Sequence, residues 1–239
     1  MDRKSARKQH KFKKRAIDPE SRFVSLGFGG GASINKLNPK NDPFYYPGFG
    51  SFSVRISYEH GWKSNLFFEA DYYVFELIES VGIRSDQGEV SFNSAWGGAF
   101  SAGNFLSAGL NYKIQRKATN FQFFTVHAGL GLGAQFYPKG DFGGGSGGSV
   151  VNDQELYSYT SSSEVTGNMM PILYTGISKD IRITQKLFFS LAYRYQFGFN
   201  TVYRTDYLVS VNSAPATSVV GRIDGTAALF TFGLKYRIK

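Results

Sequence analysis

The strongest constraint on the fold is a strict alternation of apolar and polar residues over long stretches. Between residues 186 and 200 every second residue is apolar, from Leu187 to Phe199, and the residues between them include Arg194 and Gln196. Alternation with period two is typical of β-strands whose two faces meet different surroundings. Seven apolar residues in one row exceed the usual strand of about five or six residues, so the pattern predicts unusually long strands.

Eight segments of the chain follow this template. They cover residues 22–34, 51–60, 64–78, 103–115, 121–137, 168–179, 186–204 and 225–239. The links after the second, fourth and sixth segments are short, whereas the other links are long and polar or rich in Gly and Pro. If neighbouring segments are antiparallel, all short turns lie at one end and all long loops at the other. The sequence therefore predicts an all-β fold: an eight-stranded antiparallel up-and-down barrel over residues 22–239, after a basic N-terminal tail over residues 1–21.

The length and patterning of these segments favour a transmembrane barrel. Only a closed sheet can span a bilayer, because an open edge would leave backbone groups unpaired in lipid. About 9–11 residues per tilted strand suffice, and short turns, long loops and an outward apolar row complete the signature. The chain has no apolar run near 18 residues, so a transmembrane helix is excluded. The structural rival is a soluble lipocalin-like barrel, which would bury the apolar row and expose charges such as Glu69 and Arg194.

The face opposite the apolar row is polar and carries charge. The predicted lumen residues are Arg55, Glu69, Asp71, Lys113, His127, Arg194, Lys235 and Arg237. An eight-stranded barrel is just wide enough for side chains to fill, so we interpret these residues as an ion-pair and hydrogen-bond network that closes the lumen. We expect Gly129, Gly131 and Gly133 to leave room for long Arg and Lys side chains from opposite strands.

Most of the positive charge is concentrated at the N-terminus. The chain has a net charge of +9, and residues 1–16 contain eight Lys and Arg residues against Asp2. Such a run could bind nucleic acid, anionic lipid or an acidic partner, but its lack of apolar residues favours a solvated, disordered arm. We expect no nucleic-acid partner. The run also resembles the start of a signal peptide, yet no apolar h-region follows, so the export signal is expected to be missing from this sequence.

The residue types disfavour a cofactor or metal site. The chain has no cysteine, which excludes thiol catalysis and cysteine-ligated metals. Its three histidines, His10, His60 and His127, are far apart in sequence. Residues Gly27 to Ala32 loosely match a dinucleotide-binding fingerprint, but the strand alternation runs through them and no helix is predicted to follow. We expect no cofactor and no metal.

Two enzymatic interpretations and one binding patch compete with structural alternatives. His127 with a Ser or Thr neighbour could serve an outer-leaflet lipid-modifying enzyme, and Glu69 with Asp71 could act as an acid/base pair. Roles in the lumen network are the favoured interpretation of these residues. The aromatic residues of the first long link are Phe44, Tyr45, Tyr46 and Phe49. They form a candidate loop binding patch or cap the rim of the barrel, and the sequence leaves both alternatives open.

The last predicted strand resembles the C-terminal assembly signal of bacterial outer-membrane β-barrel proteins. The polar, Gly, aromatic and hydrophobic positions of that signal match Thr231, Gly233, Tyr236 and Ile238. The chain departs from the family by ending on Lys239, where many members end on Phe. Residues 22–239 resemble small barrels of the OmpA/OmpX type, and the Lys/Arg-rich last strand resembles Bacteroidota outer-membrane barrels, including the PorT-like group.

The resemblance implies an outer-membrane location and several partners. These are outer-membrane lipid, lipopolysaccharide and the barrel assembly machinery. The sequence supports a non-enzymatic surface protein with a plugged polar lumen, whose four long extracellular loops bind a partner. The alternative is an accessory barrel subunit of a secretion or transport complex, with the basic tail as its periplasmic docking element. The third hypothesis is the outer-leaflet enzyme.

Overall fold

The computed structural model describes most of the chain beyond its N-terminal segment. The described residues are 20–34, 36–38, 44–45, 50–63, 65–76, 80–85, 88–93, 102–116, 121–136, 139–151 and 154–238. The predicted disordered tail, residues 1–21, therefore lies outside them except for its last two residues. No helix long and apolar enough to cross a lipid bilayer occurs in these ranges.

The described residues form β-strands joined by turns and short irregular links. In chain order the strands are β1 (Arg22–Ser33), β2 (Lys36–Asn38), β3 (Phe44–Tyr45), β4 (Gly50–Gly61), β5 (Leu66–Glu76), β6 (Ser80–Ser85), β7 (Gly88–Asn93), β8 (Ala102–Arg116), β9 (Phe121–Ala134), β10 (Gly140–Val151), β11 (Gln154–Val165), β12 (Met169–Arg182), β13 (Leu187–Gly198), β14 (Tyr203–Val211), β15 (Thr217–Ile223) and β16 (Ala227–Arg237). The eight predicted alternating segments correspond to β1, β4, β5, β8, β9, β12, β13 and β16.

These eight strands close into an antiparallel barrel. The order around the barrel is β1, β16, β13, β12, β9, β8, β5 and β4, and β4 returns to β1. The first and last strands pair along eleven residues, from Phe23 opposite Arg237 to Ser33 opposite Ala227. Every barrel strand therefore has a hydrogen-bonded neighbour on both sides. The fold predicted from the alternation is confirmed.

The barrel has a turn end and a loop end. At the turn end lie the three short links β4–β5, β8–β9 and β12–β13, together with the start of β1 and the end of β16. The long links β1–β4, β5–β8, β9–β12 and β13–β16 all leave from the loop end. This is the predicted segregation of short and long connections.

The outward face of the barrel is an apolar belt. Every strand contributes large, exposed apolar side chains to it, for example Leu26, Ile56, Tyr72, Leu106, Leu130, Ile177, Tyr193 and Phe232. Among outward side chains that the structure describes, charges occur only towards the strand ends, at Arg22, Glu76 and Lys179. The alternative of a lipocalin-like barrel is wrong, because it requires the apolar row inside.

The long links contain strands of their own, which the alternation does not predict. Strands β10, β11, β14, β15 and β2 form a five-stranded sheet, and β3, β6 and β7 form a three-stranded sheet. Phe44 and Ile83 of the smaller sheet pack with Tyr207, Val209 and Val219 of the larger sheet in one buried apolar cluster. The long links therefore form a packed structure at the loop end.

Two local expectations need correction. The predicted segment 186–204 is not one strand, because β13 ends at Gly198 and the chain enters the five-stranded sheet at Tyr203. The glycines of β9 do not make room for Arg or Lys. A Cβ at Gly129 would lie 2.6 Å from the Tyr174 hydroxyl, and one at Gly133 would overlap the Phe105 ring. A Cβ at Gly131 would meet Ser107 and Ile172. Side chains of the neighbouring strands β8 and β12 therefore fill that space.

Candidate functional site

Four charged side chains form a buried cluster in the lumen near the turn end. This turn-end ion cluster consists of Glu59, Lys113, Asp180 and Lys235, which come from four different strands. Lys113 Nζ donates to Glu59 at 2.6 Å, and Lys235 Nζ donates to Glu59 and, at 2.9 Å, to Asp180. Ser190 donates to the other carboxylate oxygen of Asp180 at 2.8 Å. Two carboxylates and two ammonium groups make the cluster neutral.

A second cluster lies in the middle of the barrel. This central ion cluster consists of Arg55, Glu69, Asp71 and Arg194. The two terminal nitrogens of Arg194 donate to the two carboxylate oxygens of Asp71 at 3.1 and 2.8 Å. Arg55 donates to Glu69 and, at 3.3 Å, to Asp71. The fork of Arg194 on Asp71 is the geometry in which charge-assisted hydrogen bonds are strongest, and this cluster is also neutral.

His127 on β9 joins the central ion cluster to side chains of its two neighbouring strands, β8 and β12. Its Nδ1 lies 3.3 Å from a Glu69 oxygen and 2.8 Å from Asn111 Oδ1, and its Nε2 lies 2.7 Å from Ser178 Oγ. Because an ionised carboxylate only accepts hydrogen bonds, Nδ1 carries a hydrogen. The order Ser178, His127, Glu69 is that of a nucleophile, a base and its orienting acid. All three side chains are buried inside the barrel, away from the outer face.

Alternation within each strand explains why these residues meet. Arg55, Ser57 and Glu59 follow one another on the inward row of β4, while Ile56 and Tyr58 between them are exposed. Each buried ion loses several kcal/mol of hydration, so it persists only with partners and hydrogen bonds. The interior of a closed barrel places partners from opposite strands within reach.

An aromatic layer packs against the turn-end ion cluster at the turn end of the lumen. Phe23, Phe67 and Phe188 form a buried group there. Lys113 Nζ lies 4.1 Å from the centre of the Phe67 ring and 4.8 Å from that of Phe23, and Lys235 Nζ lies 5.1 Å from that of Phe23. Ring faces attract cations, so the layer adds to the partners of both ammonium groups.

Aromatic and apolar side chains also cover the central ion cluster on its loop-end side. The Arg194 guanidinium lies 3.7 Å from the centre of the Tyr174 ring. Tyr73 donates to Gln196 at 2.6 Å, and Gln196 donates to the Gly225 carbonyl at 2.6 Å. Tyr73 also belongs to a buried apolar cluster that lies on the loop-end side of the central ion cluster. Its members are Tyr73, Phe75, Phe105, Met170, Ile172, Val202, Ile223, Ala227 and Leu229. Neutral ion clusters thus lie between two apolar layers along the barrel axis.

The structure brings seven of the eight predicted lumen residues into this assembly. They are Arg55, Glu69, Asp71, Lys113, His127, Arg194 and Lys235. Arg237 is placed differently. It lies at the turn end of β16, two residues beyond Lys235, and its side chain is partly exposed.

Two members of the clusters, Glu59 and Asp180, are absent from the predicted set. Glu59 lies on the inward row two positions from Ser57, and Asp180 lies one residue beyond the predicted segment 168–179. A signal was available, since the predicted set had five cations against two carboxylates. Burying five cations with only two carboxylates is unfavourable. The inward rows therefore had to contain further acidic residues.

The candidate loop patch is partly buried. Phe44 is buried in the apolar cluster between the two loop-end sheets, and the Arg84 guanidinium lies 4.7 Å from the centre of the Tyr45 ring. Tyr46 and Phe49 lie outside the described residues. Phe44 therefore favours the alternative in which these aromatics pack at the rim.

The residues that resemble an assembly signal divide between the two faces of β16. Tyr236 and Ile238 are exposed on the outward face, while Thr231 and Gly233 belong to the inward row. A Cβ at Gly233 would lie 2.6 Å from the Cα of Gly27 on β1 and closer still to the Leu26 carbonyl. The glycine of the motif therefore permits close pairing of the first and last strands.

Among the residues that the structure describes, no group of three or more His, Cys, Asp or Glu side chains could hold a metal ion. The carboxylates of the lumen are instead engaged by Lys and Arg. The buried groups are thus arranged for mutual neutralisation.

Comparisons with known proteins give structural likeness at low sequence identity. No protein-family model matches the chain, and no curated protein matches it. The chain is similar to the outer membrane protein OprG from Pseudomonas aeruginosa, with a TM-score of 0.44, 10% identity and coverage of 94% of this chain and 98% of OprG. It is also similar to a major outer membrane protein from Thermus thermophilus, with a TM-score of 0.42, 10% identity and coverage of 91% and 99%.

The attachment invasion locus protein Ail of Yersinia pestis is a third similar structure, with a TM-score of 0.38, 9% identity and coverage of 90% of this chain and 98% of Ail. Independently of these likenesses, the strand pairing of this chain defines its class. It is a closed eight-stranded antiparallel β-barrel with an apolar outer belt and a charged, side-chain-filled interior.

We expect Asp71→Asn to lower the free energy of unfolding by about 3–5 kcal/mol, because Arg194 would lose its ionic partner while still buried. Reversible urea unfolding in lipid vesicles measures the change. The control is Glu164→Gln, which removes an exposed partner 3.9 Å from Arg204 and should cost less than about 1 kcal/mol. The double variant Asp71→Asn/Arg194→Gln should recover part of the loss. If Asp71→Asn and the control Glu164→Gln lowered the free energy of unfolding equally, the pairing of Arg194 with Asp71 would be contradicted.

Proposed function

We propose that the chain is an integral protein of the bacterial outer membrane, with a plugged lumen and a binding surface built by its loop-end sheets. The observation that carries the membrane assignment is the apolar belt around a closed barrel. The barrel strands are 11 to 15 residues long, which is enough to cross a bilayer when tilted. Water would leave this belt exposed on all sides, whereas lipid covers it.

The interior supports a plugged barrel without transport of large solutes. The central and turn-end ion clusters are both neutral, and aromatic layers lie on either side of them. Opening such a lumen would separate buried charges from their partners, which is strongly unfavourable. The same burial supports a non-enzymatic role, since Ser178 and His127 face the lumen and a lipid substrate would approach the outer face.

The loop-end sheets supply the surface for a binding role. The larger sheet buries one face against the smaller one. A row across its other face runs through Ser146, Thr160, Leu208 and Ser218, all exposed. The hydroxyl groups of this row can form hydrogen bonds with a polar partner outside the cell.

The second candidate function is that of an accessory subunit in a secretion or transport complex, as in the PorT-like group. The observation that favours it is the attachment of the basic N-terminal segment at the turn end, where β1 begins at Arg22. In this arrangement the segment would extend into the periplasm and contact an acidic partner. Lipopolysaccharide and the barrel assembly machinery, which would read β16, complete the partners that we propose.

We expect Leu130→Arg to destabilise the barrel in a bilayer by about 2–4 kcal/mol, because the charge would lie in the hydrocarbon layer. Leu130 is 65% exposed on β9 of the belt, and its matched control Leu208 is 51% exposed on β14 of the five-stranded sheet. Leu208→Arg should change stability by less than about 0.5 kcal/mol. Folding into vesicles followed by urea titration measures both. Equal tolerance of arginine at the two positions would refute the membrane assignment.

Planar-bilayer recordings test the plug. The purified, folded chain should show no large and stable conductance, because neutral ion clusters and aromatic layers fill the lumen. Asp71→Asn leaves two arginines around a single carboxylate and should raise the frequency of brief openings. A steady porin-like conductance of the unaltered protein would overturn the plugged lumen.

Complementation tests the binding role. A strain that lacks the gene should be restored by Ser178→Ala, because no hydrolytic step is needed. It should not be restored by a variant in which a short Gly-Ser turn replaces residues 141–164, since that variant loses the β10–β11 hairpin while the barrel strands are intact. Heat-modifiable gel mobility verifies that both variants fold. Loss of function in Ser178→Ala, with function retained in the hairpin variant, would favour the enzyme.

A further inference from the structure

The turn end of the barrel carries cations at every connection. Each of the three short links contains a lysine and no aspartate or glutamate: Lys63, Lys117 and Lys186. Lys63 and Lys186 are exposed, and so is Arg22 at the start of β1 on the same end. The exposed Glu20 precedes Arg22, so three described cations there stand beside one described acid of the N-terminal stretch. Lys117 lies outside the described residues. We call Arg22, Lys63 and Lys186 the turn-end rim.

The opposite end of the barrel has no such bias. Each of the four long links contains residues of both signs in the sequence. On the five-stranded sheet, for example, Arg204 donates to Asp206 at 2.9 Å and lies 3.9 Å from Glu164. The cationic character is therefore a property of the turn end and not of the whole surface.

Aromatic residues place the rim at a definite height on the barrel. Trp62 is 66% exposed, and the Lys63 ammonium lies 5.6 Å from the centre of its ring. Tyr112 and Tyr236 are exposed on the outward faces of β8 and β16, also towards the turn end. Trp and Tyr collect at the boundary between hydrocarbon and water. Cations beside them lie at the depth of lipid headgroups, with their apolar stems along the belt.

We propose that the turn-end rim binds the phosphate groups of anionic phospholipids and thereby selects these lipids in the leaflet at the turn end. The proposal rests on the membrane-spanning function proposed above. Ammonium and guanidinium groups donate charge-assisted hydrogen bonds to phosphate oxygens. Each basic residue near an anionic surface contributes about fivefold to partitioning.

Spin-labelled lipids provide the test. The full chain is folded in phosphatidylcholine vesicles that contain traces of spin-labelled phosphatidylglycerol or phosphatidylcholine, and the motionally restricted signal gives the relative association constant of the two lipids. The unaltered chain should prefer phosphatidylglycerol several-fold at low salt, and the preference should fall as salt is added. Lys63→Glu/Lys186→Glu should lower the preference at least threefold. The control Lys139→Glu/Arg222→Glu reverses two exposed cations at the loop end and should leave it unchanged.

The outcomes separate this proposal from the one on which it rests. A barrel that does not span the membrane would give no motionally restricted lipid signal at all, which would refute the membrane assignment. A motionally restricted signal without preference for phosphatidylglycerol would overturn the lipid proposal but not the membrane assignment. The same holds if Lys63→Glu/Lys186→Glu and Lys139→Glu/Arg222→Glu lower the preference equally. Sedimentation with purified peptidoglycan is measured in parallel. If Lys63→Glu/Lys186→Glu abolishes sedimentation but keeps the lipid preference, the rim binds an anionic wall polymer and the lipid proposal is wrong.

Discussion

The structure depends on the hydrogen bonds between β1 and β16, which turn an open sheet into a closed one. Without this pairing, two edge strands would present rows of unpaired backbone groups, and lipid could not accommodate them. Closure also defines an inside and an outside, so the two faces of every strand acquire different environments. The apolar belt, the ion clusters and the separation of turn end from loop end all follow from it. Gly29 and Gly233 permit the close approach that the pairing requires, because a Cβ at either position would overlap the backbone of the other strand.

The charged interior is stable because each of the two ion clusters contains equal numbers of positive and negative side chains. An unpaired ion in this interior would be costly, yet each charge of the two clusters has at least one opposite partner on another strand. Several of these contacts cross the lumen, so they tie together strands that share no backbone hydrogen bonds. Arg194 on β13 reaching Asp71 on β5 is one such link. The interior therefore braces the barrel as well as filling it.

The barrel could be predicted from the sequence because its two faces differ so strongly. In β13 and β16 every outward position is apolar, so the strands, the face that each residue occupies and their approximate length could be predicted. The loop-end sheets could not be read in this way. β10 is mostly glycine and serine, residues with weak strand preference, and it is a strand because β11 pairs with it. Only part of the site could be predicted. Alternation shows which residues point into the lumen, but which of them pair, as for Glu59 and Asp180, depends on the register between distant strands.

The pairing of the first strand with the last has a consequence for how the chain acquires its fold. Phe23 and Arg237 are paired although almost the whole chain separates them, and contacts between such distant residues carry the largest loop-closure entropy and slow folding. Hairpins such as β12–β13 can form as soon as they are made, but the barrel cannot close until its final residues are available. The chain is therefore incomplete in structure until its last strand has been made, and time spent in that state exposes its apolar rows to aggregation.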